Sequence, residues 1–311
     1  MPQTCGMPVP RLVAGDRVRF VSPASPPTRE AVARGAELLS GWGLQVEIGR
    51  HAFETSGYLA GSDQARLADV NEALRDPGVR GIFATTGGKG AYRIAPHLDF
   101  EAALADPKPF VGFSDITYLH LALHRAGVAG SIHGPFVNWS DDYYGADCAE
   151  GLRRSLMEPE PVVISSRVSD YTAQLSAGGR ATGVLVGGHF DSIGRAVGWA
   201  LPNLDDAILL LEDHHGTGLG QIDRCLAQLV HAGLLRNLRG IALGTFGEFE
   251  TTTASRTTLA DVLSDWLAPL KVPILGGLPI GHGRDPASVP LGTTATIDAT
   301  AGTLTVSPGV H

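Results

Sequence analysis

Between residues 17 and 133 the chain alternates short apolar runs with helical patterns, and that rhythm limits the fold more than any other feature. Arg17-Val18-Arg19-Phe20-Val21 runs into a Ser/Pro loop, and a helical pattern over 28–42 places Ala31, Leu38 and Leu39 on one face. Gly43 stops it, and Gln45-Val46-Glu47-Ile48 reads as a second strand. Ser62 has the character of an N-cap before Leu67, Val70, Asn71 and Leu74, and Pro77-Gly78 ends that helix. Gly81-Ile82-Phe83-Ala84-Thr85 is a third strand, which meets the loop Thr86-Gly87-Gly88-Lys89-Gly90. The fourth strand lies just before Ser114, and Gly130-Ser131-Ile132-His133 is a short fifth. Strands and helices in this alternation predict a Rossmann-like parallel sheet with helices on both faces. Ligands of such sheets bind at the carboxyl ends of the strands.

From 138 to 180 the text turns irregular and polar, apart from one short helix near 150–157. A second α/β unit begins near Ala181-Thr182-Gly183-Val184-Leu185-Val186-Gly187-Gly188. It continues with the apolar run Ala207-Ile208-Leu209-Leu210-Leu211, a helix over 221–235 and a strand over 241–246. Two alternating strands, 293–297 and 303–307, end it. The expected organisation is therefore 1–140 as the Rossmann-like domain, 141–180 as a connection and 181–311 as a smaller α/β domain with its own sheet. No internal repeat is evident.

Composition excludes several classes of function. Charged residues make up 18% of the 311 residues and apolar ones 43%, enough for a substantial core. The formal net charge of -8 and the lack of a basic stripe argue against a nucleic-acid partner. Cys5, Cys148 and Cys225 form no C-x-x-C pair, so neither a disulfide framework nor a structural zinc site is expected. The first residues lack a basic region followed by an apolar one, so no signal peptide is expected. No window approaches about 18 uninterrupted apolar residues, so no membrane span is expected, and the expected compartment is the cytoplasm.

The chemical candidates sit at strand ends. Phe110-Val111-Gly112-Phe113 leads to Ser114, and a helical pattern follows from Thr117. A strand, a sharp turn and a helix with a hydroxyl at the bend resemble a nucleophile elbow, which exposes Oγ at the end of a sheet. The plainer alternative is that Ser114 caps the helix. A serine needs a base, and the base works best when a carboxylate orients it. His282 lies between two glycines that let the backbone bend tightly, though it can equally be an ordinary loop histidine. Glu212 ends an apolar strand, where a carboxylate is out of place unless it is paired or functional. The loop containing Gly88 can bind a phosphate, supply a backbone N–H to an oxyanion or simply turn. His120 and His124 have i, i+4 spacing, but the glutamate of H-E-x-x-H and a third ligand are missing. His214-His215 can line a site or bind metal fortuitously, but the plainer reading is a mobile loop with Gly216, Gly218 and Gly220. Asp223-Arg224 reads as a structural ion pair.

Val111-Gly112-Phe113-Ser114-Asp115-Ile116-Thr117, Leu211-Glu212-Asp213, Ile222-Asp223-Arg224 and Gly281-His282-Gly283 occur in this order, with Gly87-Gly88-Lys89-Gly90 upstream. Together they resemble the LD-carboxypeptidase family of serine peptidases, over about residues 17–307. The resemblance implies a Rossmann-like half, a smaller half with its own sheet and an active site in the cleft between them. It implies a Ser114–Glu212–His282 triad, with the N–H groups of Asp115 and Gly88 holding the oxyanion. It also implies a cytoplasmic homodimer acting on a small peptide or peptidyl-nucleotide, with no cofactor and no metal. The leading expectation is removal of terminal D-Ala from murein tetrapeptides. The alternative is a microcin C immunity-like peptidase acting on aminoacyl-nucleotides or related acyl-amides, and a distant third is non-catalytic small-molecule binding. Two departures bear on specificity. Gly187-Gly188-His189 stands for the family's usual Gly-Gly-Asn, and His214-His215 replaces a Gly-Glu-Lys-Pro run. Trp139, Tyr143, Tyr144 and Trp199 offer stacking surfaces.

Overall fold

The computed structural model describes residues 7–135, 137, 140, 143–214, 218–247 and 257–311. The sequence expectations for Cys5, Trp139 and His215 lie outside the described residues.

In chain order the strands are β1 (Arg17–Val21), β2 (Gln45–Ile48), β3 (Val79–Ala84), β4 (Phe110–Gly112), β5 (Ser131–His133), β6 (Val162–Ser165), β7 (Arg180–His189), β8 (Ala207–Asp213), β9 (Gly240–Phe246), β10 (Ile274–Leu275), β11 (Val289–Pro290), β12 (Thr294–Asp298) and β13 (Thr303–Val306). Among the described residues they make two sheets, ordered β11-β5-β4-β3-β1-β2 and β10-β9-β8-β7-β12-β13-β6. Strands β1 to β5 run parallel, and β11 closes that sheet antiparallel to β5. In the second sheet β7 to β10 are parallel, while β12, β13 and β6 are antiparallel. The fold is mixed α/β with one sheet in each half, as the alternating pattern predicts.

Local chemistry explains the elements that position the site. Ser62 Oγ accepts the Ala65 N–H at 3.1 Å and starts the helix Asp63–Arg75. All seven residues of β8 are buried, which suits a central parallel strand covered on both faces. One continuous core cluster joins the halves: Ile116 and Leu119 from the first pack with Val186, Ile193, Leu226 and Leu243 from the second. Each such fully buried aliphatic side chain contributes roughly 1.5–3 kcal/mol.

The stretch 141–180 is more ordered than its polarity suggests. Helix Ala146–Met157 buries Leu152 and Leu156 against Val18 and Phe20, and β6 pairs with β13 at the edge of the second sheet. The prolines and serines that flank β6 hide it from a pattern reading. Helix Leu259–Leu267 was not apparent either, although Thr258 and Asp261 cap it reciprocally. The expected Asp223–Arg224 ion pair is replaced by other bonds: Asp223 accepts from Trp266 Nε1 at 2.7 Å, and Arg224 donates to Gln221 at 3.0 Å.

Candidate active site

The site begins with a turn that serine rarely makes. After β4, Ser114 adopts φ +56°, opens a short 3-10 turn, Ser114–Ile116, and leads into the helix Thr117–Arg125. A non-glycine residue at positive φ is uncommon and stores strain that the surroundings must hold. Phe113 precedes that turn, and no side chain caps it, so Ser114 is not acting as a plain helix cap. Gly112 makes the turn possible, because a Cβ there would press into the Ile116 side chain.

The second half supplies an oriented imidazole. Glu212 lies near the end of β8, fully buried, and its Oε2 meets His282 Nδ1 at 2.6 Å. The same oxygen accepts the His282 backbone N–H at 3.2 Å. Gly281 lets the chain come this close: it has φ +98°, and any Cβ would collide with the Glu212 carboxylate. Burial by itself would raise the Glu212 pKa. The charge and hydrogen bond of His282, helped by His133 and His189, instead hold it down at about 2. Glu212 is thus a permanent anion at neutral pH, able to stabilise a positive His282 ring.

A cavity of about 1150 Å³ joins these parts. Ser114, Asp115, Thr86, Gly87, Gly88, Lys89, Tyr92 and Tyr118 line it from the first half, and His189, Arg195, Trp199, His214 and His282 from the second. The rings of Phe113 and His282 lie 4.9 Å apart, so the residue next to Ser114 touches the imidazole that Glu212 orients. The glycine loop is tied down, since Ser25 Oγ accepts the Lys89 N–H at 3.1 Å and the Ser25 N–H donates to Gly87 at 3.0 Å. Asp115 faces the same cavity and accepts the Ala91 N–H at 2.7 Å. Its burial outweighs that bond and raises its pKa to about 6.

All five residues singled out from the sequence, Ser114, Asp115, Gly88, Glu212 and His282, therefore gather at one cavity or in direct contact with a residue that lines it. His120 does not. It is buried, its Nε2 meets the Gly112 carbonyl at 2.9 Å, and burial lowers its pKa to about 4. Tyr143 and Tyr144 pack edge to face on each other at 6.0 Å and do not line the cavity. Trp199 does line it, stacked on Tyr118 at 5.6 Å and 19°.

The sequence reading missed His133. It ends β5, is fully buried and sits 3.7 Å from the other Glu212 oxygen. Its only signal was a histidine closing an apolar strand at the ligand end of the sheet. His189 forms a second histidine–acid pair: Nε2 lies 3.1 Å from Asp213, and Nδ1 meets Ser192 Oγ at 2.9 Å. The arrangement is suited to acyl transfer by a hydroxyl, with a carboxylate-oriented imidazole in the same cavity and backbone N–H groups near the bend.

Comparisons with known proteins identify the family. Residues 18–134 match the LD-carboxypeptidase N-terminal domain, and residues 182–297 match the LD-carboxypeptidase C-terminal domain. A Streptomyces coelicolor relative that carries a carboxypeptidase name is 38% identical over 95% of this chain and 94% of its own. The murein tetrapeptide carboxypeptidase of Pseudomonas aeruginosa is 29% identical over 91% of this chain and 93% of its own. The crystal structure of an MccF-like protein from Bacillus anthracis superposes with a TM-score of 0.87 at 25% identity, covering 97% of this chain and 99% of that one.

Proposed function

Because the chain belongs to the LD-carboxypeptidase family of serine peptidases, we propose that Ser114, His282 and Glu212 act as its catalytic triad and that it removes terminal D-Ala from murein tetrapeptides. The 2.6 Å bond between Glu212 and His282, in the cavity that Ser114 lines, carries this reading. His282 Nε2 takes the Ser114 proton as Oγ attacks the amide carbonyl. Glu212 fixes the tautomer, with Nδ1–H donating to it, and stabilises the imidazolium. The N–H groups of Asp115 and Gly88 hold the oxyanion, and losing one such donor costs about 2.7–4 kcal/mol in the barrier. His282 then gives its proton to the leaving D-Ala amine, and water releases the acyl group. We place this reaction in the cytoplasm, on a homodimer, which gel filtration with light scattering checks.

A second reading has an observation of its own. Trp199, stacked on Tyr118 at the cavity wall, is a platform on which a nucleobase can lie. It favours an aminoacyl-nucleotide substrate, as in the microcin immunity branch. Parallel assays on murein tetrapeptide and on an aminoacyl sulfamoyl adenosine separate the two. Release of D-Ala with no turnover of the nucleotide supports the first reading. The opposite result supports the second, and turnover of neither substrate overturns both.

A further inference from the structure

We infer that His189, Asp213 and His214 form a binding site for one divalent transition-metal ion beside the reacting centre. One imidazole nitrogen from each histidine and one Asp213 oxygen lie within 4.8 Å of one another. Two imidazoles and a carboxylate are a borderline donor set, suited to Zn²⁺, Co²⁺ or Ni²⁺ and not to Mg²⁺ or Ca²⁺. A tetrahedral Zn²⁺ at about 2.0–2.1 Å from each donor needs its donors roughly 3.3 Å apart. His189 Nε2 and Asp213 Oδ1 already stand 3.1 Å apart. The third donor closes by a side-chain movement of His214, whose ring stacks on His189 at 5.6 Å.

The local chemistry orients His189 for this role. Its Nδ1 meets Ser192 Oγ at 2.9 Å, which in the Nδ1–H tautomer leaves the Nε2 lone pair aimed at Asp213. Hydrogen bonds of this kind fix the ring of a metal-binding histidine. Nε2 is buried and lies 3.1 Å from Asp213 Oδ1, so an imidazole nitrogen and a carboxylate oxygen already converge on one point. The remaining side of the ion faces the cavity, since His189 and His214 line it. A water or a ligand carboxylate completes the coordination there.

The position has a consequence for the serine chemistry. The His282 ring lies 5.1 Å from that of His214 and 5.3 Å from that of His189. A cation held between those two opposes the positive charge that His282 must take up. The bound metal is a brake on acyl transfer, not a participant in it.

The test uses tag-free, chelator-stripped protein titrated with Co²⁺ by visible absorbance and with Zn²⁺ by calorimetry. One ion per chain is expected, with affinity at least tenfold weaker in His189→Asn and in His214→Gln. Circular dichroism without metal shows whether each variant folds. No saturable binding, or equal affinity in both folded variants, overturns the site. With wild-type protein alone, Co²⁺ is expected to shift the imidazole resonances of His189 and His214, and shifts confined to other histidines also overturn it. Saturating Zn²⁺ is expected to slow fluorophosphonate labelling of Ser114 at least tenfold, and an unchanged rate removes the brake.

Discussion

Glu212 and Asp213 are neighbours in β8, both fully buried, and each meets a histidine that lines the cavity. The two pairs differ in which nitrogen is held. Glu212 takes Nδ1 of His282, whose ring lines the cavity, the arrangement that the proposed general base needs. Both nitrogens of His189 face other protein groups, Nδ1 at Ser192 Oγ and Nε2 at Asp213 Oδ1, so neither is aimed at Ser114. Successive strand residues normally point to opposite faces. The pairing of β8 with β9 shifts register between Leu211 and Asp213, an irregularity that coincides with both acids meeting histidines of one cavity. The lesson is that proximity to a carboxylate does not make a base; the orientation of the second nitrogen does.

The largest effect that tests this contrast is on turnover. His282→Ala is expected to lower kcat by about 10⁴-fold or more, whereas His189→Asn lowers it by no more than about 10²-fold. Steady-state kinetics decide, and equal losses would break the distinction. Next comes the acid: Glu212→Gln is expected to cost about 10³–10⁴-fold in kcat, and Asp213→Asn about tenfold.

Stability against pH sharpens the comparison across the cavity. Burial, outweighed by His282, leaves Glu212 with a pKa of about 2, below its ordinary 4.5. Its stabilisation is full above the unfolded pKa and fades as pH falls from 4.5 toward 2. Asp115 is the opposite case: burial raises its pKa from 3.8 to about 6, so the folded state holds a proton that the unfolded chain has lost. Its contribution falls as pH rises from about 4 to 6, by on the order of 3 kcal/mol. In urea titrations Asp115→Asn is expected to remove that fall, so wild type loses stability relative to the variant over this window. A constant difference between the two would show that Asp115 has an ordinary pKa. The smallest effect is at the turn: Gly281→Ala is expected to cost about 1–3 kcal/mol, and to weaken activity by displacing Glu212 from His282.

Much of this was legible in the chain. The apolar runs of β1, β3, β4 and β8 and the break at Ser114 mark the sheet ends directly, because buried parallel strands need continuous apolar residues. Glu212 was conspicuous as a carboxylate in such a strand. Its pairing with His282, 70 positions away, follows from tertiary packing that no periodicity encodes, and it was anticipated through family resemblance. His133 went unnoticed because a lone histidine at the end of a three-residue strand carries no pattern. β11 is two residues long and exists only through its pairing with β5.

The central claim is that Ser114 is a nucleophile activated by His282 and not by His189. Mass spectrometry of fluorophosphonate-treated protein tests it most directly. A single adduct on Ser114 is expected in wild type, absent from Ser114→Ala, slowed at least 10³-fold in His282→Ala and retained in His189→Asn. An adduct on another residue, or wild-type labelling in His282→Ala, would contradict the account.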